Sequence, residues 1–330
     1  MTRYLFRFTP WLLLLLLALA ACSSDSTPQA SPGTTNPPQP PQPPEESYNI
    51  EIRPVGNGFT PTQEAAFTQA AAAWGGYITE DLTDIPAGQQ VSASSACGYD
   101  DTTLAAEIDD LLIYAVIEPD DGPGGVLARA GPAAFRTENA PSGAGLPAVG
   151  CLKFDVADVA RLEVNGEFDE VVLHEMGHVI GVGTIWQDKG VLSFERNTCL
   201  TSRSPKFIGT GAVTEYAQLG GSGDVPVEME GGRGTACGHW SEKVFGNELM
   251  TGFLNSGNVN PFSRMTVASL DDLGYTVDLS RAAPYDLPNC SPDCRSLQSQ
   301  SLAVREVLLK PTYTIAPDGT LSPITQDTQE

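Results

Sequence analysis

Two histidines four residues apart constrain this chain more than any other feature. They lie in Val171-Val172-Leu173-His174-Glu175-Met176-Gly177-His178-Val179-Ile180-Gly181, and the chain has one further histidine, His239. Val172, Met176, Val179 and Ile180 recur at helical spacing, which predicts a buried amphipathic helix starting near Phe168 and Asp169. Positions i and i+4 of a helix share one face, so the two imidazoles are presented together, a turn apart. That separation suits two nitrogens on one tetrahedral zinc ion. Glu175 is not placed as a ligand, but it can reach a metal-bound water as a general base. Gly181 accepts the left-handed backbone that ends a helix in a sharp turn, freeing the chain to bring a third ligand to the metal. A satisfied pair of core histidines is the bland alternative. The glycine after the pair and the one remaining histidine favour a three-ligand zinc site with an open fourth position. Such a site needs neutral imidazoles and should fail in acid.

The rest of the chain bounds where such a site could work. The sequence has 330 residues, 41% hydrophobic and 18% charged, enough apolar material for a packed core. It carries 41 acidic and 18 basic residues, a net charge of -23, which excludes nucleic acid as a partner. Arg3 and Arg7 precede an apolar run from Trp11 to Ala21, with the flanks of an export signal. Leu19-Ala20-Ala21-Cys22 resembles the lipobox of bacterial lipoproteins. That resemblance implies a signal peptide over 1–21 and a lipid anchor on Cys22. With Ser23 next, it implies a bacterial membrane location, the outer membrane or cell surface. An ordinary signal with a chance cysteine is the alternative. Residues 22–47 include Pro37-Pro38-Gln39-Pro40-Pro41-Gln42-Pro43-Pro44 and read as an extended tether.

Seven cysteines are odd for an exported chain. Assigning Cys22 to lipid leaves Cys97, Cys151, Cys199, Cys237, Cys290 and Cys294, which can form three disulfides in fifteen ways. Cys290 and Cys294 could close a small loop, with Cys97–Cys151 and Cys199–Cys237 as the remaining pairs. Paired CxxC ligand spacing is lacking.

The expected fold class is α+β. Tyr48–Pro54 alternates as a first strand. Thr60-Pro61-Thr62-Gln63 is a capping box opening a helix through Phe67, Trp74 and Tyr77. Asp110–Ile117, Leu127–Ala130 and Ala148–Phe154 read as further strands, giving residues 48–181 a sheet-plus-helix organisation with the zinc helix at its end. Residues 182–330 read as a more irregular C-terminal subdomain, with glycine-rich loops at 220–223 and 231–234 suited to the rim of a cleft. A last helix is expected from Pro261, with Phe262, Met265, Leu270 and Leu273 as its stripe and Gly274 at its end. Val304–Lys310 is a candidate strand of unassigned role. Glu118, Asp120 and Asp121 are candidate calcium ligands, but they lack EF-hand spacing, and a solvated acidic turn is the preferred reading.

The His174–Gly181 motif, a 57-residue interval from 182 to 238, and then His239 resemble the leishmanolysin family of metzincin metallopeptidases. Asn247-Glu248-Leu249-Met250-Thr251-Gly252 resembles that family's methionine turn, and Ser263–Tyr275 its closing helix. The resemblance implies a bilobal zincin with zinc on His174, His178 and His239, Glu175 as catalytic base and Met250 beneath the metal. Bottom-up, Met250 is equally a soft core residue, and Met265 a rival that falls inside a helical pattern. The family also pairs an edge strand with extended substrate, a role open here to 127–136 or 148–154. Its parasite members carry a propeptide cysteine that latches the zinc. The segment from Cys22 to Ser47 is too short for a folded prodomain, so no such latch is expected here. The resulting expectation is a zinc endopeptidase acting on extracellular or envelope proteins. The alternative is a non-catalytic peptide-binding or adhesion lipoprotein, against which the intact Glu175 argues. A structural zinc site would need a fourth protein ligand, and no fourth histidine exists.

Overall fold

Turn chemistry and apolar runs divide the chain into short elements. β1 (Ile50–Pro54) leads into α1 (Pro61–Gly75), α2 (Ala93–Cys97), β2 (Leu111–Glu118), β3 (Ala128–Arg136), β4 (Pro147–Asp155), α3 (Val156–Asn165) and α4 (Phe168–Ile180). There follow β5 (Leu192–Ser193), β6 (Lys206–Phe207), α5 (Thr210–Gln218), β7 (Val225–Pro226), α6 (Glu242–Phe245), β8 (Phe253–Asn255) and α7 (Arg264–Leu273). The chain closes with β9 (Ser301–Ala303), β10 (Glu306–Leu308), β11 (Tyr313–Ile315) and β12 (Leu321–Pro323). The computed structural model describes residues 47–86, 91–105, 107–196, 198–232, 234–255, 260–288 and 301–324. The expected signal segment 1–21, the tether up to residue 46, Cys22, Cys290 and Cys294 lie outside the described residues. Among the described residues, no helix is long and apolar enough to cross a membrane.

α1 begins as its sequence dictates. Thr60 Oγ1 accepts from the Gln63 N–H at 3.3 Å, and Gln63 Oε1 accepts from the Thr60 N–H at 2.9 Å, satisfying two orphan donors at the helix start. α7 begins later than Pro261. Ser263 is its cap, accepting from the Thr266 N–H at 3.2 Å, while the Pro261 carbonyl accepts from the Leu249 N–H at 3.0 Å. A side-chain cap two residues on outcompetes proline's preference for a first helical turn, because Pro261 is tied to a neighbouring loop instead.

The main sheet is mixed, in the order β1-β2-β4-β3-β11-β12, with β10 also on β3. β1, β2 and β4 run parallel, and β3 is antiparallel to β4. The β3–β4 register shifts between Pro132 and Ala134, where proline has no N–H to give the ladder. β4 is interior, between β2 and β3, and β3 is interior too, its other flank paired with β10 and β11, so neither candidate edge strand is an edge. Residues 301–324, grouped by sequence with the C-terminal part, supply β10 and β11 to that flank and so belong largely to the first sheet. Between residues 182 and 288, β5, β6 and β7 form a small sheet.

α4 lies against the main sheet over a glycine. A Cβ at Gly150 of β4 would stand 2.0 Å from Val179 Cγ1, so only glycine lets helix and sheet approach this closely. Phe67 of α1, Phe154 of β4 and Phe168 of α4 meet edge-to-face with centroids 5.7–6.1 Å apart, joining the three elements in one core. Disulfides join Cys97 to Cys151 and Cys199 to Cys237. The first ties α2 to β4.

The acidic turn expected as a calcium candidate is used otherwise. Lys153 Nζ lies 2.9 Å from Glu118 and Arg129 Nε 2.8 Å from Asp120, while Asp121 accepts from the Val126 N–H. Asp155 organises this turn. Its carboxylate caps α3 through the Ala157 N–H at 2.8 Å and accepts from the N–H groups of Asp120, Asp121 and Gly122 at 2.8–3.0 Å. Burial by itself would raise this carboxyl, but the N–H donors of Gly122, Ala157, Asp120 and Asp121 outweigh it and hold it below its ordinary value. Folding therefore favours the ionised form. That contribution is present above the unfolded-state value near ~4 and is lost as pH falls through the folded-state value. Asp155→Ala is expected to lower the unfolding free energy by about 1–3 kcal/mol at neutral pH. The gap from wild type should close in acid, and urea titrations at pH 7 and pH 3 check both statements.

Candidate metal centre

α4 presents His174 and His178 on one face, and the loop before α6 presents His239 to the same point. All three side chains are fully buried. Their Nε2 atoms lie 3.1 Å apart in every pair. Nitrogens each about 2 Å from a common tetrahedral ion would stand a little over 3 Å apart.

The other ring nitrogens show which protonation state the fold enforces. His174 Nδ1 lies 2.7 Å from the Leu249 carbonyl, His178 Nδ1 2.8 Å from that of Val182, and His239 Nδ1 2.9 Å from that of Thr235. A carbonyl only accepts, so each Nδ1 carries a proton and each ring turns its Nε2 inward, the tautomer in which that nitrogen can bind a metal. Burial drives His178 down to about 4, while at His239 burial is outweighed by the adjacent Glu306 carboxylate, which holds the imidazole above its ordinary value. Three Nε2 atoms this close cannot each hold a proton, and a metal cation would satisfy all three lone pairs together. The donor set therefore fits a zinc ion.

Each orienting carbonyl has its own support. Gly181, with φ of 132°, turns the chain so that Val182 returns beneath His178, and Thr184 Oγ1 donates to the His178 carbonyl at 2.7 Å. Thr184 thus closes the helix end and is not a ligand. Cys237 holds a left-handed φ of 71°, uncommon for a non-glycine residue. Its disulfide to Cys199 and its N–H bond to the Glu228 carbonyl anchor the turn that delivers His239.

Glu248 fixes the third support, and sequence reading did not single it out. One carboxylate oxygen accepts from the Met250 N–H at 2.7 Å, the other from Ser263 Oγ at 2.7 Å and Thr266 Oγ1 at 2.5 Å. The turn so fixed aims the Leu249 carbonyl at His174 and places Met250 under α4. A Cβ at Gly177 would stand 2.9 Å from Met250 Sδ and 2.5 Å from the Trp74 ring. Met250 therefore packs against the helix between the two histidines, while Met265 is core in α7.

Glu175 is buried beside this cluster, and neither of its carboxylate oxygens has a hydrogen-bond partner among the described residues. Burial, and then the neighbouring Glu306 carboxylate, hold it well above the usual carboxylate range. Glu306, which sequence reading left inside a strand of unassigned role, is the fourth member of the cluster. Its carboxylate lies 2.8 Å from His239 Nε2, 3.3 Å from His178 Nε2 and 3.6 Å from His174 Nε2. This carboxylate draws positive charge to the cluster, and neither of its oxygens has an aligned hydrogen-bond donor among the described residues. No spacing pattern could have linked residue 306 to 174. Among the described residues, the other acidic group that could hold an ion is Asp81, Asp109 and Asp110. There Asp110 is already engaged by the N–H groups of Asn49 and Leu82.

Fold and site together define a mixed α/β protein with a buried three-histidine, one-glutamate group suited to a metal ion. The leishmanolysin family (peptidase M8) matches residues 100–288, more than half of the chain, and the chain belongs to that family. It is similar to leishmanolysin-like peptidases of Drosophila melanogaster and Drosophila pseudoobscura pseudoobscura, each 42% identical over 59 residues. That stretch is 18% of this chain and spans 8% of each relative.

Gly177→Ala tests the packing beneath the site. Within a helix, alanine gains about 1 kcal/mol over glycine. Overpacking against the rigid Trp74 ring and Met250 costs about 1–3 kcal/mol. The net expectation is a lowered Tm and weakened zinc retention, read by thermal melts with and without added zinc.

Proposed function

We propose that the protein is a zinc-dependent endopeptidase acting on extracellular or envelope proteins, held to a bacterial membrane, outer membrane or cell surface, through a lipid on Cys22. His174, His178 and His239 would hold one zinc ion. Bound there, zinc supplies Lewis acidity and lowers the pKa of water. Glu175, unpartnered and next to the site, takes the proton of the attacking water and returns it to the leaving amine. The carbonyls of Leu249, Val182 and Thr235 hold the imidazoles in the tautomer that binds metal. β3 would pair with an extended peptide by strand addition on the flank that β10 and β11 cover in this structure. The observation that carries this reading is the convergence of three inward-turned imidazole nitrogens beside a buried carboxylate with no structural partner. A purely structural or adhesive role leaves Glu175 without a use, since burying an unpaired carboxyl is costly.

Casein cleavage and zinc content are to be measured for the wild type and for Glu306→Ala, each with and without Glu175→Ala. Cleavage by at least one parent is expected, falling about 100-fold or more on Glu175→Ala with zinc retained. Cleavage that Glu175→Ala leaves unchanged, or none from either parent, would count against the proposal. In an active parent, chelation should abolish cleavage and added zinc restore it. Cleavage and bound zinc should also fall together in acid, because the imidazoles bind metal only when neutral.

A further inference from the structure

The segment around β10, from Val304 to Thr312, occupies the place a peptide would need. Its backbone is bonded to β3 through the Leu127 N–H to the Arg305 carbonyl at 2.6 Å, the Leu309 N–H to Ala130 at 2.8 Å and the Thr312 N–H to Ala133 at 3.0 Å. On its other side, the Val304 N–H donates to the Gly252 carbonyl at 3.2 Å, at the end of the turn that carries Met250. The segment is thus held between the β3 edge and the floor of the metal site.

Three glycines make room for it. A Cβ at Gly131 would stand 2.4 Å from the Leu309 carbonyl oxygen, one at Gly234 2.0 Å from that of Glu306, and one at Gly238 2.2 Å from Leu308 Cδ1. Glu306 and Leu308, two apart on a strand, project to the same side. Leu308 lines a pocket together with Gly183, Leu192, Cys199 and Gly238, the residue before His239. Glu306 reaches the three imidazoles, fully buried and without an aligned donor among the described residues, with Glu175 alongside. It stands where the mechanism requires water between the metal ligands and the general base.

We infer that residues 304–315 are an inbuilt inhibitor of the cleft, with the Glu306 carboxylate as the metal's fourth ligand and β10 in the place of a peptide. Tail and peptide use one edge of β3, so their binding is mutually exclusive. The chain rests in a latent state, and displacement of this segment opens both the metal's fourth position and the strand edge. The inference rests on the proposed peptidase function only for the identity of what is shut out.

The test separates the two claims by reading occupancy without turnover. A fluorescent peptide hydroxamate, which binds a metal through its own oxygens, is titrated into zinc-loaded full-length wild type and Glu306→Ala. A latch closed in nine molecules of ten weakens apparent affinity about 10-fold, so at least ~10-fold tighter binding is expected in the variant. Equal affinities, or loss of zinc from Glu306→Ala, would overturn the latch; the latter would make Glu306 a structural ligand. Should the variant fail to fold, hydrogen exchange on the wild type decides. Saturating hydroxamate is expected to raise exchange across 304–312, and unchanged protection there with inhibitor bound rejects the inference. A variant that binds hydroxamate tightly yet cleaves no peptide keeps the latch and discards the peptidase reading.

Discussion

Everything at this site depends on three backbone carbonyls that accept from imidazole Nδ1 atoms. Leu249, Val182 and Thr235 each force one ring to turn its Nε2 toward the other two. The resulting cluster of nitrogens, 3.1 Å apart and shut away from water, is one that a metal cation would satisfy. A metal ion bound there would couple its binding to folding. Much of the surrounding architecture reads as a means of holding those carbonyls still: Gly181 and Thr184 for Val182, the Cys237 turn for Thr235, and Glu248 for Leu249.

Close approach is the second recurring device. Gly150 lets α4 settle on the sheet through Val179, and Gly177 lets Met250 and Trp74 press against the helix between its two histidines. Gly131, Gly234 and Gly238 serve differently, forming a slot for an extended chain. A groove lined in this way lets an extended backbone come close. The chain's own last strands fill it, covering a flank of β3 that would otherwise offer unpaired N–H and carbonyl groups.

Much of the first sheet was legible because its signals are local. The Thr60–Gln63 box, the apolar run of β2 and the periodicity of α4 each reside within a few residues. α3 was not anticipated, because its cap, Asp155, does double duty in a turn that sequence suggested as a calcium candidate. Pro261 was misplaced as a helix start for a similar reason: the competing Ser263 cap and the Leu249 N–H become visible only when distant segments meet.

The sequence by itself determined the helix that pairs His174 with His178, the shortage of histidine that left His239 as the remaining partner, and the strongly acidic character of the chain. These follow from periodicity and composition, which act over one or two turns or over the chain as a whole. Tertiary structure alone decided which carbonyl orients each ring, that Glu248 pins the turn above Met250, and that Glu306 completes the metal cluster. The reason is physical: the decisive contacts, Leu249 with His174 at 75 residues' separation and Glu306 with all three imidazoles, join distant segments brought together by burial of a shared core and by sheet pairing, and neither leaves a repeat or spacing that a linear reading could detect.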